Sequence, residues 1–339
     1  MPGLSALFAI MTLTIGRRKL LAALGGAAIA WPFAARAQQA AMPVVGFLNS
    51  ASADGYAPMA SAFRQGLKEI GYVEGSNVVI EYRWAENQYD RLPALAADLV
   101  SRRVTAVFAN GPSVAAVKGL TNTIPIVFLS GDDPVRLGFV ASLNRPGENV
   151  TGVNIFSSET ATKRLDLLRE FVPHASKIAV LINTDFTPSL RFRDDVEATA
   201  RMLGLTTERL SANDDREIER AFNTLASARP DALLVGPGPL FDSQRNLVVA
   251  LAAKIAIPTG HETRATAVAG GLMSYGANVG DGYRQAGIYT GRVLNGEKPA
   301  NLPVLQSTKF EFIINLKTAK ALGLQIPDKM LALADEVIE

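Results

Sequence analysis

Short apolar runs alternate with amphipathic stretches from Val44 almost to the end of the 339-residue chain. Residues 44–48 have the length and apolar character of a buried strand, and residues 58–70 carry apolar side chains at helical spacing before Gly71. The same order recurs along the chain and is typical of βαβ units that build a parallel sheet. The pattern therefore predicts an α/β protein.

The alternation falls into two consecutive series, each long enough for one doubly wound sheet. The predicted strands are 44–48, 78–82, 106–109, 126–129 and 150–155 in the first series, and 178–182, 206–210, 232–235, 272–275 and 310–314 in the second. The helices predicted between them include one from Val135 and one over 196–203. We predict lobe 1 from residues 43–153 plus 278–303, and lobe 2 from residues 154–277 plus 304–339.

Residues 1–37 have the features of a cleavable export signal. A basic triplet at residues 17–19 precedes about eleven apolar residues, and residues 35–37 read Ala-Arg-Ala, an A-x-A cleavage site. The apolar run is too short to span a hydrocarbon core of about 30 Å, which argues against a membrane anchor. We expect a signal peptide and a periplasmic protein, with Tat and Sec export both open and translation starting at Met1 or Met11.

Composition excludes several classes of function. Four of the 34 Lys and Arg residues lie in the predicted leader, so the rest of the chain carries 30 cations against 32 acids. A nearly neutral body gives no electrostatic reason to expect a nucleic-acid partner. The chain has no Cys and 2 His, which excludes thiolate zinc sites, iron–sulfur clusters and disulfides. We therefore predict no metal and no cofactor.

The sequence lacks the motifs of common enzymes. No G-x-G-x-x-G follows a predicted strand, and no P-loop motif occurs. A Ser-His-Asp triad would need His174 or His261. Neither lies in a G-x-S-x-G context, so we interpret both as structural or solvated. Adjacent acid pairs such as Asp132-Asp133 point apart on a helix or strand and are typical of caps. We predict that the protein is not an enzyme.

Small polar residues follow most of the predicted strands. Ligands in open parallel sheets bind outside the carboxyl ends of the strands, where loops and helix N-termini offer free backbone N–H groups. The residues at these ends are Asn49, Ser50, Asn110, Ser113, Ser130, Asp132, Asn183, Gly236 and Tyr275, with the aromatic Trp84 and Phe186 close by. Each polar residue could instead be a simple cap or turn former, and each aromatic a core residue. Because both lobes supply such loops, we predict a polar cleft between them.

Several segments together resemble the ABC transporter substrate-binding family that includes tryptophan-type binding proteins. They are residues 44–49 (VVGFLN), 123–128 (TIPIVF), 133–135 (DPV), 145–152 (RPGENVTG), 269–276 (AGGLMSYG) and 315–324 (NLKTAKALGL). The resemblance covers residues 43–339. It implies a type I periplasmic binding fold with two lobes joined by three crossovers, and delivery of a small solute to a membrane permease powered by a separate ATPase. It also implies ligand contacts from the strand-end loops, including residues 236–242, which adds Asp242 to the candidates.

We therefore predict an extracytoplasmic solute-binding component of an ABC importer. It would be a monomer that captures a small molecule, with amino acids and other small carboxylates as the candidates, and that meets its permease transiently. The predicted ligand-binding residues are Asn49, Ser50, Trp84, Asn110, Ser113, Ser130, Asp132, Asn183, Phe186, Gly236, Asp242 and Tyr275. Two alternatives stay open at this point, an exported enzyme that uses the same cleft and a sensor module that presents its ligand to a membrane receptor.

Overall fold

The computed structural model describes residues 42–157, 160–307 and 309–339. The predicted leader, with its basic triplet and its cleavage site, lies outside the described residues. None of the helices in the described part of the chain combines the length and the apolar character that crossing a membrane requires.

Six parallel strands form the first sheet, in the order β11-β5-β4-β3-β1-β2. Their apolar side chains fill two buried clusters, one on each face of the sheet. A sheet that is covered on both faces explains why its strands are nearly continuous apolar runs. The strands are β1 (Val44–Asn49), β2 (Val79–Trp84), β3 (Ala106–Asn110), β4 (Ile126–Ser130), β5 (Val150–Asn154) and β11 (Leu305–Gln306).

Seven strands form the second sheet, in the order β13-β12-β10-β9-β8-β6-β7. Only the pairing of β10 with β12 is antiparallel in this sheet, and two buried clusters again cover its faces. The strands are β6 (Lys177–Ile182), β7 (Thr206–Ser211), β8 (Ala232–Val235), β9 (Thr259–His261), β10 (Met273–Ala277), β12 (Phe310–Asn315) and β13 (Glu336–Ile338).

Twelve α-helices in the described residues flank the two sheets. They are α1 (Ala57–Glu69), α2 (Leu92–Ser101), α3 (Ser113–Lys118), α4 (Ala161–Phe171), α5 (Thr187–Met202), α6 (Asp215–Ala228), α7 (Pro239–Ser243), α8 (Arg245–Lys254), α9 (Arg264–Val268), α10 (Val279–Leu294), α11 (Leu316–Ala321) and α12 (Asp328–Leu333). Short polar residues cap several of them. Asp214 accepts a hydrogen bond from the Glu217 amide (2.8 Å), and Asn278 accepts one from the Asp281 amide (2.8 Å).

The chain passes between the two sheets three times: between β5 and α4, between β10 and α10, and between β11 and β12. Helix α10 returns to the first sheet and packs closely on α1. A Cβ added at Gly66 would lie 1.9 Å from the Arg284 carbonyl oxygen, and one at Gly287 would lie 2.1 Å from that of Phe63. Glycine at both positions therefore allows this approach. The arrangement confirms the predicted α/β fold of two doubly wound lobes with three crossovers. Below, lobe 1 and lobe 2 denote the first and the second sheet, each with its packed helices.

Some local predictions were wrong. No helix starts at Val135, because turns cover this stretch and Gly138 has φ +70°. The helix predicted over 196–203 is the end of α5, which begins nine residues earlier at Thr187. Strand β9 has the sequence Thr-Gly-His, which carries no strand signal. Strand β11 pairs with β5 of the first sheet, although it lies in the 304–339 stretch predicted for lobe 2.

Candidate functional site

A cavity of about 50 Å³ lies where the carboxyl ends of the two sheets face each other. Both lobes contribute to its walls, as expected for ligand sites of open parallel sheets. Its lining residues are Tyr56, Asn110, Gly111, Leu129, Gly131, Ile155, Ser157, Phe186, Gly238, Pro239, Asp242, Glu262, Val279 and Tyr283. We refer to it as the inner cavity.

Three of the twelve residues predicted from the sequence line the inner cavity: Asn110, Phe186 and Asp242. The other nine do not line it; they are Asn49, Ser50, Trp84, Ser113, Ser130, Asp132, Asn183, Gly236 and Tyr275. Most of these nine lie at the strand ends, as expected, but their polar atoms form hydrogen bonds within the loops around the cavity.

The polar residues of lobe 1 bond mainly to one another. The Asn110 Oδ1 atom accepts hydrogen bonds from the Ser50 amide (2.8 Å) and from the Ser113 hydroxyl (3.2 Å). The Asn49 side-chain amide donates to the Tyr283 hydroxyl (2.8 Å), which orients a ring that lines the cavity. All of these side chains are buried, so each bond satisfies a group that would otherwise be costly to bury. The network holds the strand-end loops of lobe 1 in place.

The remaining predicted residues have local structural roles. The Ser130 hydroxyl donates to the Asp132 carbonyl oxygen (2.8 Å), and the Asn183 side chain accepts from the Asp185 amide (2.8 Å). Trp84 packs in lobe 1, with its ring 5.3 Å from that of Phe47. Tyr275 stacks on Phe310 at 6.2 Å. A Cβ at Gly236 would lie 2.6 Å from the Ser189 hydroxyl, so this glycine permits a close approach of β8 to α5.

Lobe 2 contributes two carboxyl groups to the inner cavity. Asp242 accepts hydrogen bonds from the Tyr56 hydroxyl of lobe 1 (3.0 Å) and from the Thr263 hydroxyl (2.9 Å). Glu262 is buried, and its Oε1 atom has no hydrogen-bond partner in the structure. Burial and then the nearby Glu262 carboxylate raise the pKa of Asp242 to about 7, against the opposing effects of Thr263, Tyr56 and Arg245. The site therefore holds negative charge that the protein compensates incompletely.

A buried cation lies behind the Ser157 wall of the cavity. Arg164, on α4, donates to the Ser157 carbonyl oxygen (2.9 Å) and to the Thr160 hydroxyl (2.6 Å), and its guanidinium lies 4.6 Å from the centre of the Phe192 ring. Its Nε and Nη1 atoms have no hydrogen-bond partners in the structure. Burial and then the charge of Arg164 lower the pKa of His261 to about 3. His261 is therefore neutral at physiological pH.

Three aromatic rings line the inner cavity, those of Tyr56, Phe186 and Tyr283. Burial raises the pKa of both tyrosines, so both phenols stay protonated; the Tyr56 hydroxyl donates to Asp242, and that of Tyr283 accepts from Asn49. Sequence reasoning missed Tyr56, Tyr283, Glu262 and Arg164. The two tyrosines lie in or beside helices, and the strand before Glu262 has no sequence signal. A search limited to the ends of predicted strands therefore could not find these three residues. Arg164 occupies a helical position that is usually solvated. Among the described residues, no group of three or more His, Asp and Glu side chains could hold a metal ion.

The two lobes also meet away from the cavity walls. The Arg191 Nε atom of α5 lies 3.1 Å from the Oδ2 atom of Asp132, which is 1% exposed and also pairs with Arg136 of its own lobe. On the other side, the Arg245 side chain donates to the Gly55 carbonyl oxygen (3.4 Å). Together with the Tyr56–Asp242 hydrogen bond, these contacts hold the lobes in a closed arrangement.

Solved structures share this architecture. An ABC domain from Streptococcus pneumonia in complex with L-Trp is 26% identical, with a TM-score of 0.79 over 87% of this chain and 99% of that one. The ligand-free, open structure of a substrate-binding protein with adhesive properties from Clostridium difficile is also 26% identical, with a TM-score of 0.62 over 88% of this chain and 99% of that one. At equal identity, the present structure superposes better on the ligand-bound relative than on the open one, which agrees with the contacts between the lobes.

Sequence comparisons agree with the structural ones. A "Tyrosine-binding protein" from Clostridioides difficile (strain R20291) is 29% identical over 264 residues, which cover 78% of this chain and 76% of that protein. The family model described as "ABC transporter substrate binding protein" matches residues 44–338, nearly all of the chain after the predicted leader. The fold is that of type I periplasmic binding proteins, and the chain belongs to the ABC transporter substrate-binding protein family.

Proposed function

We propose that the solute captured by this ABC transporter substrate-binding protein is an amino acid with an aromatic side chain. The observation that carries this proposal is the pair of carboxyl groups, Asp242 and Glu262, that face the inner cavity between the lobes. One carboxylate oxygen of Glu262 has no partner, and Asp242 is bonded only by neutral hydroxyl groups at its side chain. A cationic group on the solute would complete this site.

An ammonium group fits the electrostatics of the site. Burial and the repulsion of the nearby Glu262 carboxylate raise the pKa of Asp242, and a cation between the two groups would relieve this repulsion. The cations nearby are Arg164 and Arg245, and both donate their hydrogen bonds elsewhere, to Ser157 and Thr160 and to the backbone carbonyl oxygens of Gly55 and Asp242. A primary ammonium between Asp242 and Glu262 would donate up to three hydrogen bonds and accept none, which suits the unpartnered Oε1 atom of Glu262 and the anionic form of Asp242.

The aromatic part of the proposal rests on the ring-lined walls and on the relatives. Tyr56 and Tyr283 come from lobe 1 and Phe186 comes from lobe 2, so a planar group between the lobes would meet rings on both sides. One relative is named a tyrosine-binding protein, and a solved relative holds L-Trp. By similarity, an aromatic amino acid is the solute class that we propose for this chain.

We propose that the solute stabilises the closed form by contacting both lobes at once. A ligand shifts the equilibrium between open and closed forms only by its difference in affinity for the two. Asp242 and Glu262 lie on lobe 2 and the two tyrosines on lobe 1, so a bound amino acid completes its contacts only when the lobes meet. A membrane permease can then distinguish the loaded protein from the empty one.

Related proposals concern the rest of the chain. We propose that residues 1–37 are a signal peptide, that the exported protein acts as a monomer in the periplasm, and that it catalyses no reaction. We also propose that residues 43–153 and 278–306 build lobe 1 and that residues 154–277 and 307–339 build lobe 2, since this division follows the sheets. N-terminal sequencing of the exported protein should give Gln38 as the first residue, and retention of residues 1–37 would refute the signal peptide.

Isothermal titration calorimetry on protein exported from the full coding sequence tests the solute. L-Trp, L-Tyr and L-Phe should bind with micromolar or lower Kd. Tyramine, which keeps the ammonium, should bind more tightly than 3-(4-hydroxyphenyl)propionate, which lacks it. Failure of every amino acid to bind, or equal affinity for the analogue without an ammonium, would refute the proposal. Calorimetry is preferable to tryptophan fluorescence here, because Trp84 packs within lobe 1 and does not line the inner cavity.

A further inference from the structure

The first crossover between the lobes, which joins β5 to α4, contains a residue in an unusual backbone conformation. Phe156 has a φ of +52°, in the left-handed region that residues with bulky side chains rarely adopt. Its ring is half-buried and borders a cavity of about 530 Å³ together with Tyr275 and Phe310. Burial of the ring in a closely packed core therefore does not account for this backbone conformation.

The other non-glycine residues with positive φ in the described part of the chain have local explanations. Arg103, Arg229 and Ala256 lie at the ends of α2, α6 and α8, where a left-handed residue commonly terminates a helix. Residues 86–87 form the turn that follows β2. Phe156 terminates no helix, and it lies where the chain passes from one lobe to the other. Its conformation therefore needs an explanation from the contacts of the crossover itself.

Hydrogen bonds hold the chain to lobe 1 as far as the Phe156 amide. The Ile155 amide donates to the Ser130 carbonyl oxygen (2.8 Å), and the Phe156 amide donates to the Oδ1 atom of Asn154 (3.0 Å). Ser130 and Asn154 are paired residues at the ends of the neighbouring strands β4 and β5. The N–H group of Phe156 therefore moves with lobe 1.

The next residue is held by lobe 2. The Ser157 carbonyl oxygen accepts hydrogen bonds from the Arg164 guanidinium (2.9 Å) and from the Thr160 hydroxyl (3.0 Å). Arg164 is fully buried on α4 and packs on the Phe192 ring of the lobe 2 core. The backbone rotations between the last contact with lobe 1 and the first with lobe 2 are therefore those of Phe156 and Ser157.

The closed arrangement restricts the path of this short connection. A Cβ added at Gly131 of lobe 1 would lie 2.7 Å from the Ser157 hydroxyl oxygen and 2.9 Å from the Ser157 Cβ atom. Because Ser157 lies this close to lobe 1 while its carbonyl oxygen is held by lobe 2, the chain has to turn at Phe156. Strained backbone conformations persist where the surrounding structure imposes them in this way.

We propose that Phe156 is a strained pivot: its left-handed conformation belongs to the closed form and opposes closure, so that the lobes stay apart until a solute binds. The inference rests on the proposed function, because it assumes that solute binding closes the lobes. A residue that accepts the left-handed region more readily should raise the closed fraction of the ligand-free protein. It should also raise the affinity, since the apparent affinity is proportional to the fraction of protein in the binding-competent form.

Substitutions at Phe156 itself isolate the backbone effect. Phe156→Gly and Phe156→Ala both delete the ring, but only glycine lacks the Cβ atom that disfavours a φ of +52°. In calorimetry, Phe156→Gly should bind L-Trp about threefold to tenfold more tightly than Phe156→Ala. Phe156→Asn keeps a Cβ atom but tolerates the left-handed region, so it should also bind more tightly than Phe156→Ala. If L-Trp binds, a gain confined to glycine, or a gain in neither variant, would overturn the proposal.

The matched control is Ala256→Gly, at an exposed residue with a φ of +51° just after α8. It relieves the same backbone conformation within lobe 2, away from the crossovers, so it should raise the melting temperature. Its affinity for L-Trp should stay within about twofold of the wild type, because the relief is the same in the open and closed forms. A gain in affinity equal to that of Phe156→Gly would contradict a role specific to the crossover.

A measurement without solute separates this proposal from the proposed function. In small-angle X-ray scattering, ligand-free Phe156→Gly and Phe156→Asn should both have a smaller radius of gyration than ligand-free Phe156→Ala, because more of each variant is closed. This result would support the pivot even if no amino acid bound. Equal radii of gyration in the three variants would overturn the pivot, even if L-Trp bound to the wild type.

Discussion

The two walls of the inner cavity use polar residues in different ways. On the lobe 1 wall, the Asn110 side chain accepts hydrogen bonds from its own lobe, and Tyr283 is held by the neighbouring Asn49. On the lobe 2 wall, Glu262 keeps an unpartnered oxygen and Asp242 reaches across to Tyr56. The difference indicates that the lobe 1 wall fixes the shape of the cavity and that the lobe 2 wall supplies the charged groups that face the solute. Polar residues at strand ends therefore have to be separated into those that hold loops and those that face the solute.

The sharpest test of this division is the removal of charge from the lobe 2 wall. Asp242→Asn should weaken amino-acid binding by about 30-fold or more, since truncating one partner of a buried charge pair costs about 2–5 kcal/mol. Its thermal stability should not fall, because a carboxyl whose pKa is raised by burial is itself unfavourable there. Calorimetry and thermal unfolding measure the two quantities.

The matched control for that variant is Asp54→Asn, which removes the same charge from an exposed position in the loop before α1. It should leave affinity within about twofold of the wild type, in line with a screened surface charge. If the two variants lost affinity equally, general electrostatic attraction rather than a contact at Asp242 would explain the binding.

On the lobe 1 wall, Asn110→Ala should affect stability more than binding. It leaves the buried Ser50 amide without its acceptor, which should cost about 1–3 kcal/mol in the free energy of unfolding. Ser113→Ala removes only a donor to the same oxygen, at 3.2 Å, and should cost less. Urea denaturation gives both values. A tenfold or greater loss of affinity without loss of stability in Asn110→Ala would contradict a purely structural role.

The pH dependence of binding should also come from lobe 2. A solute ammonium requires Asp242 as a carboxylate, and a pKa of about 7 makes its ionised fraction, and hence affinity, rise about tenfold from pH 6 to pH 8. Glu262→Gln removes the charge that raises this pKa, so the midpoint should move to lower pH. Calorimetry across this range checks both statements, and an unchanged midpoint in Glu262→Gln would contradict the coupling.

Ionisation of Asp242 should favour solute binding but lower the stability of the folded, ligand-free protein. The pKa of Asp242 in the folded protein lies above the value near 3.9 of an unfolded Asp. Between these values the folded state binds more protons, so Asp242 contributes less stability as pH rises through this window. The melting temperature of ligand-free wild type should therefore fall more between pH 5 and pH 8 than that of Asp242→Asn, and bound amino acid should reduce the difference.

Apolar periodicity was sufficient to predict the fold because both sheets are buried on two faces. Strands such as β3 and β4 are fully buried, so their sequences carry the signal directly. The misses were short or polar elements, including the three-residue β9 and the turns after Asp133, whose conformations depend on tertiary contacts. Helix α5 was predicted too short because its first half carries several charged residues, although the proline in its first turn is typical of a helix start.

The candidate site was less predictable for a related reason. Strand-end logic found Asn110, but Tyr56 and Tyr283 reach the cavity from α1's N-terminus and from α10, whose approach depends on Gly66 and Gly287. Nothing in the local sequence indicates that these helices converge there. Glu262 follows strand β9, which is too short to be recognised from the sequence. Residues that reach the site through contacts between distant parts of the chain can be identified only from the three-dimensional structure.

The contact between Asp132 and Arg191 should have the smallest effect on affinity, and it tests which contacts stabilise the closed form. Asp132 on lobe 1 pairs with Arg136 on its own lobe and with Arg191 on lobe 2, so two cations share one buried carboxylate but only one of them bridges the lobes. Arg191→Gln should weaken solute binding by about threefold to fivefold at low salt, since a partly exposed ion pair contributes up to about 1 kcal/mol to the closed form. The effect should shrink in high salt.

Arg136→Gln is the comparison variant, because it removes an equal charge from the same carboxylate and leaves the direct Asp132–Arg191 pair in place, at the loss of only a longer-range attraction between Arg136 and Asp195 of lobe 2. It should change affinity by less than twofold in the same titrations. Comparable losses in the two variants would show that the charge balance at Asp132 matters rather than the bridge. A loss confined to Arg191→Gln would identify a charged contact, remote from the solute, by which the lobe 1 loop around Asp132 favours the closed form.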